Sequence, residues 1–481
     1  MPSHKMRRLT AAIGFSVLVA CSVILLAGYS FPPGGSGTLT ASGTQWGVTS
    51  QYLGANEGSS QFNINDLADL GINSYRIYGG MSRWEPTNAE STYGSPTIAQ
   101  IEADPTLINW AFFDNIFTNP PGGSDYSWSA STGIPPVSAA TIMSDLNAHN
   151  ITPIVVLRNV DNNKNPAWAP NPPVSANDWN VWFEFVFATV YWFNVRNHYI
   201  VDNWEVHNEP NNSGQGWAGT EAQYMDFINY TAQAIHWVYS HYLPGRTPHI
   251  YAPVTSNCCA WALSAMQTEG PTVFDSLDFH DYQSNPSEIS TLRADMNSNG
   301  YAGAPAWITE MGSYHQNVYN NVNSSNNLII AWWTQASQPG NNYVTGADLF
   351  SLYDWGSGYT SGAVHGSYPA AESYQPGYYA MRLAARALVG GRPTYQLTGS
   401  ISNVISLVTK DSAGHYYLIA CNSGSPGVTV TADLSALITT GTGTQWEFSS
   451  ANNDAIVGSP TLTNGQVTFS IPANATELLK F

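Results

Sequence analysis

From about residue 45 to residue 390 the chain alternates short apolar runs with helical patterns. Strands joined by helical crossovers run parallel, so this alternation limits the fold more than any other feature. Candidate strands fall at residues 45–49, 74–78, 152–157, 199–206, 249–254, 276–280, 306–309 and 348–352. Helices are predicted at 65–70, 139–150, 179–198 and 378–388, and helical spacing is clear in Tyr224, Phe227, Ile228, Thr231, Ile235 and Val238. Eight strand units predict an α/β fold closed as a (β/α)8 TIM barrel, with its chemistry at the strand C-termini. Residues 82–133 fit no unit and are predicted as an extended loop over that face. After Gly390 and Gly391 come short β-runs separated by Gly, Ser and Asn turns, which predict a C-terminal all-β sandwich.

The N-terminus carries Lys5, Arg7 and Arg8 ahead of an uncharged apolar run over residues 9–29. That pattern reads as a signal peptide or a retained membrane anchor, so the protein is expected to be exported, secreted or tethered to a membrane. The expected organisation is residues 1–30 as signal or anchor, 31–44 as linker, 45–390 as barrel and 391–481 as sandwich. Adjacent Cys258 and Cys259 have three outcomes open to them: a vicinal disulfide, pairing of one with Cys421, or buried free thiols. No metal-type spacing accompanies them.

Charged residues make up only 10% of the chain, and the net charge is −18 with 15 Lys plus Arg. Such a chain is a poor partner for nucleic acid or an anionic membrane. A surface with few ionisable groups changes little when carboxylates protonate, which suits an acidic medium.

Two stretches carry the chemistry. Trp204-Glu205-Val206-His207-Asn208-Glu209-Pro210-Asn211 closes a strand run with an amide and an acid side by side, and Pro210 stops the strand there. Trp307-Ile308-Thr309-Glu310-Met311-Gly312 places a second acid at another strand end, in register for the fourth and seventh of eight strands. Two carboxyl groups flanking one bond are what glycoside hydrolysis requires. No phosphate loop, nicotinamide fingerprint or metal set competes, and this reading needs no cofactor.

With Asn208-Glu209-Pro210 and Ile308-Thr309-Glu310 at those positions, the chain resembles glycoside hydrolase clan A, and within it family 39 and its relatives. The resemblance implies a retaining enzyme acting on a polysaccharide or oligosaccharide, with Glu209 as acid/base and Glu310 as nucleophile. It further implies that Asn208 bonds the sugar 2-hydroxyl and that Arg76 keeps the nucleophile ionised. His280 and Tyr282 would orient the nucleophile and line the cleft, and Trp355 would floor it. His207 stands where many such enzymes carry Trp. The alternative is a non-catalytic carbohydrate-binding or cell-surface protein on the same scaffold.

Overall fold

The structure is a computed structural model, and it describes residues 35–58, 62–84, 96–119, 137–159, 171–215, 217–282, 286–313, 315–337, 344–354, 360–365 and 372–481. The N-terminal apolar run lies outside these residues. Among the described residues no helix is long and apolar enough to cross a membrane.

Eight parallel strands close into a barrel in chain order: Tyr52–Asn56, Ser74–Gly80, Thr152–Arg158, Asn203–Val206, His249–Thr255, Ser276–Asp281, Ala306–Gly312 and Gly346–Phe350. They are called barrel strands 1 to 8 below. Nearly every residue in them is buried, which is what a sheet covered on both faces demands. The first strand differs from expectation. Gly47–Val48 pairs with Pro393–Tyr395 of the sandwich instead, and the barrel begins at Tyr52. The segment expected as linker also differs, because Ser36–Ala41 is a strand lying parallel to Val428–Asp433 in the sandwich. Thr38 and Thr40 alternate with the buried Leu39 and Ala41, a period-2 pattern that a short polar stretch hides well.

The segment expected as an extended loop is partly helical. Ile98–Ala103 and Trp110–Thr118 are helices started by side-chain caps from Thr97 and Asn109. Phe117 of the second helix packs with Trp84, Trp192 and Phe193, and Phe113 stacks on Phe117. Helix Ala176–Tyr191 opens with a capping box between Ser175 and Asp178 and buries a nearly continuous aromatic and aliphatic face.

The sandwich pairs a seven-stranded sheet with a four-stranded sheet over its own core, including Leu39, Leu418, Val430, Phe469 and Leu479. Helix Pro376–Leu388 joins the two parts: Arg382 and Arg386 both reach the buried Asp454 of the sandwich.

Inside the barrel, side chains stack in layers drawn from alternate strands. Tyr52, Ile154, Tyr251 and Trp307, from strands 1, 3, 5 and 7, form one apolar cluster. The even strands contribute Arg76, Glu205, Asp278 and Asp348, all buried and close enough to perturb one another electrically. Gly54 of strand 1 makes room for this layer, since a Cβ there would sit 2.2 Å from Ser74 Oγ and 2.3 Å from Asp348 Oδ1.

Candidate active site

Strand 4 ends at Val206, and the chain then turns sharply. His207 has φ 65° and Glu209 φ 45°, both in the left-handed region that costs a non-glycine residue about 1–2 kcal/mol. The turn is held from several sides. His207 N–H donates to the Leu157 carbonyl at 2.8 Å, and Tyr224 OH donates to the Val206 carbonyl at 2.5 Å. The fully buried His207 ring lies 2.9 Å from the Asn208 carbonyl through Nδ1 and 3.0 Å from the Asn159 side-chain amide through Nε2. Burial and the nearby Arg158 charge push its pKa down to about 3, so the ring is neutral. His207 is thus a brace that fixes the direction in which Asn208 and Glu209 leave the strand.

Arg76 of strand 2 lies at the centre of the site, fully buried. Its Nε and Nη2 engage Glu205 at 2.7–2.9 Å. Nη1 donates to Glu310 Oε1 at 2.6 Å and to Asn56 Oδ1 at 2.8 Å, while Nη2 donates to Asn208 Oδ1 at 2.8 Å. One guanidinium therefore holds two carboxylates and orients the Asn208 amide so that its NH2 is turned away from Arg76.

Glu310, at the end of strand 7, accepts from both sides. Tyr78 OH donates to Oε1 at 2.6 Å, and Tyr282 OH donates to Oε2. His280 Nδ1 lies 2.7 Å from Glu209 Oε1 and 3.2 Å from Glu310 Oε2, so it touches both acids and is nearer to Glu209. Asn212 Nδ2 donates to Glu209 Oε2 at 2.8 Å. Burial pushes the Glu310 carboxyl up, but the charges of His280 and Arg76 and the two tyrosine hydroxyls outweigh it, leaving its pKa below the usual carboxylate range. Burial alone would depress the His280 pKa; the Glu310 charge and the contact with Glu209 raise it instead.

The polar ligand atoms of Glu209, His280 and Glu310 lie within 4.8 Å of one another. Three such groups could in principle hold a cation. Here both oxygens of Glu310 already accept from Arg76, Tyr78 and Tyr282, and the guanidinium supplies the positive charge a metal would bring. The donor set fits a bare carboxylate pair better than a metal centre.

Glu209, Glu310, Asn208, Arg76, His280 and Tyr282, all expected from the sequence, converge on this one place. Trp355 lies outside the described residues. Strand 8 ends at Phe350, whose ring meets Tyr282 edge-on at 6.0 Å. Trp84 and Trp217 are core residues at 1% and 2% exposure, and Trp128 and Trp168 lie outside the described residues. Sequence reasoning missed Asn56, Tyr78, Glu205 and Asn212. Strand parity was the available signal for two of them: Tyr78 is two residues from Arg76 on one face, and Glu205 is two from His207. Cys258 and Cys259 are bonded to each other, and Cys421 is buried and free.

The fold is that of a (β/α)8 barrel carrying a β-sandwich, and solved structures that share it include glycoside hydrolases. Three of these are a family 30 endoxylanase from Clostridium papyrosolvens, a glucosidase from Croceicoccus marinus and a family 39 enzyme from Xanthomonas axonopodis pv. citri. Their TM-scores are 0.61, 0.65 and 0.58, at 14%, 12% and 14% identity. Each match covers 92% of this chain, and 99%, 98% and 96% of the respective partner. No family model matches the sequence, and no curated protein matches it.

Proposed function

We propose that this protein is a retaining β-glycoside hydrolase, exported from the cell, that acts on a polysaccharide or oligosaccharide. The observation that carries the reading is the separation of the two acids. Carboxyl groups about 5–5.5 Å apart suit attack by one of them, whereas inverting enzymes hold theirs roughly 6.5–9.5 Å apart to admit water. Glu209 and Glu310 each bring one oxygen within 4.8 Å of the other's, which supports the first arrangement.

In the first half-reaction Glu310 attacks the anomeric carbon as Glu209 gives its proton to the departing glycosidic oxygen. The sugar is then esterified to Glu310. Arg76 and Tyr78 hold the attacking carboxylate as an anion and fix its direction. In the second half-reaction Glu209 takes a proton from water, which attacks the same carbon and frees Glu310. Asn208, oriented by Arg76, presents its NH2 toward the sugar 2-hydroxyl. Phe350, at the end of strand 8, or Trp355, five residues further along the chain, floors the sugar.

The test is product analysis against β-glucans, xylans, mannans and galactans, with the anomeric configuration followed by NMR. Release of reducing sugar with retained configuration is expected, and binding without release would favour the non-catalytic alternative. Glu209→Gln is expected to lower kcat/KM on substrates with poor leaving groups by about 100-fold or more. Glycosides with activated leaving groups, which need no protonation, should keep most of their first-step rate; equal losses on both would remove Glu209 from the acid role.

A further inference from the structure

The turn after strand 4 does more than display Glu209. Its next residues double back onto the acid and onto the neighbouring strand. Asn212 N–H donates to the Glu209 carbonyl at 2.9 Å while Asn212 Nδ2 donates to the Glu209 carboxyl Oε2 at 2.8 Å. Asn212 Oδ1 in turn accepts from Gly214 N–H at 3.1 Å, which fixes which way the amide points. One residue earlier, Asn211 Oδ1 accepts from Ser256 N–H at 2.9 Å and Asn211 Nδ2 donates to Asn257 Oδ1 at 3.2 Å. Ser256 and Asn257 directly follow strand 5 and lead into the bonded pair Cys258 and Cys259.

We propose that Asn212 is a positioning residue for the acid Glu209, and that Asn211 anchors it to the end of strand 5, so that Glu209 to Asn212 form a closed clip. This rests on the glycosidase reading above. Glu209 sits at a left-handed backbone position, with its two oxygens taken by different partners: His280 on Oε1 and Asn212 on Oε2. The His280 contact couples the acid to the nucleophile. The Asn212 contact aims the carboxyl plane, because two fixed partners on its two oxygens leave the plane no rotational freedom. A carboxyl that must reach one glycosidic oxygen loses rate steeply when it can rotate away. The anchor matters because residues 211 and 212 are half-exposed and would otherwise be held only by local bonds.

The signature is selective. Asn212→Ala is expected to lower kcat/KM on a methyl glycoside or unactivated oligosaccharide by about 10-fold or more, and on the 2,4-dinitrophenyl glycoside of the same sugar by less than about 3-fold. Asn211→Ala should show the same selectivity at smaller size. Asn212→Asp, which keeps the shape but replaces the donor with a carboxyl, should not restore the rate. A purely structural role would depress both substrates equally. Equal loss, no loss, or rescue by aspartate would each overturn the proposal. If the wild-type protein cleaves neither substrate across glucose, xylose, mannose, galactose and arabinose glycosides, the glycosidase reading falls, and this one with it.

Discussion

Glu310→Ala is expected to lower turnover by about ten-thousand-fold or more, equivalent to roughly 5 kcal/mol of barrier. On the proposed mechanism the size follows from what is removed: the covalent path ends, and the remaining groups have no nucleophile to serve. The fold should survive the change. Arg76 keeps its bidentate partner Glu205, so the buried guanidinium is not left without an anion. Tyr78 and Tyr282 lose one acceptor each, and the space left by the truncated side chain has room for water or a small anion. Added azide should occupy that space and attack the anomeric carbon from the face Glu310 used, yielding a glycosyl azide of inverted configuration. The checks are initial rates with and without azide, NMR of the product, and a thermal melt close to that of the wild type. An undiminished variant would end the assignment of Glu310.

Much of this site was legible because its parts obey strong local rules. Both acids fall near strand ends, and eight-fold alternation places those strands four and seven; the expected stop at Pro210 differs, because strand 4 ends at Val206 and the left-handed His207 makes the turn. The residues that were missed depend on the barrel's closure. Asn56 reaches Arg76 from strand 1 and also donates to the Thr309 carbonyl at 2.6 Å; neither contact leaves a trace in the residues around it. Glu205 reads as one charge in an apolar strand, and only the inward parity of strands 2 and 4 sets it against Arg76. The start of the barrel was misplaced for a related reason: Gly47–Val48 and Tyr52–Asn56 are both short and apolar, and only pairing partners far along the chain distinguish them. His207 looked like a substituted aromatic. In the structure its ring lies between the Asn208 carbonyl and the Asn159 side chain, and the single N–H of the neutral imidazole donates to one of them and braces the turn.

The composition pointed to an acidic medium through the surface, whereas the interior supplies the stronger reason. Burial pushes Asp278 up to about 7, with the Glu205 charge adding to the effect, and burial likewise pushes Asp348 up to about 7 against the Ser74 hydrogen bond. Arg76, the cation of this layer, is already committed to Glu205 and Glu310, so both aspartates remain protonated at mildly acidic pH. In the sandwich, Glu477 lies directly across from Glu447 and is pushed up to about 9, chiefly by burial. A carboxyl whose folded pKa is raised binds its proton more tightly folded than unfolded. Its full contribution is present below the unfolded value, near 4, and is lost as pH rises through the folded value. His280, raised as well, acts in the same direction above its ordinary range. Glu310, lowered, acts oppositely as pH falls below about 4.5, and the neutral His207, pushed down to about 3, opposes them from about pH 6.5 downward, so it offsets part of what the aspartates and Glu477 contribute. The raised carboxyls outnumber the opposing histidine, so stability should peak near pH 4–5 and decline toward pH 8. Thermal melts from pH 4 to pH 9 measure it, and a melting temperature that is flat or rising between pH 5 and pH 8 would sink the idea. Asp348→Asn separates the cause from surface charge. The amide mimics the protonated acid, keeps an acceptor for Ser74 Oγ and cannot ionise, so it should flatten the decline between pH 5 and pH 8 while leaving the melt at pH 4 nearly unchanged.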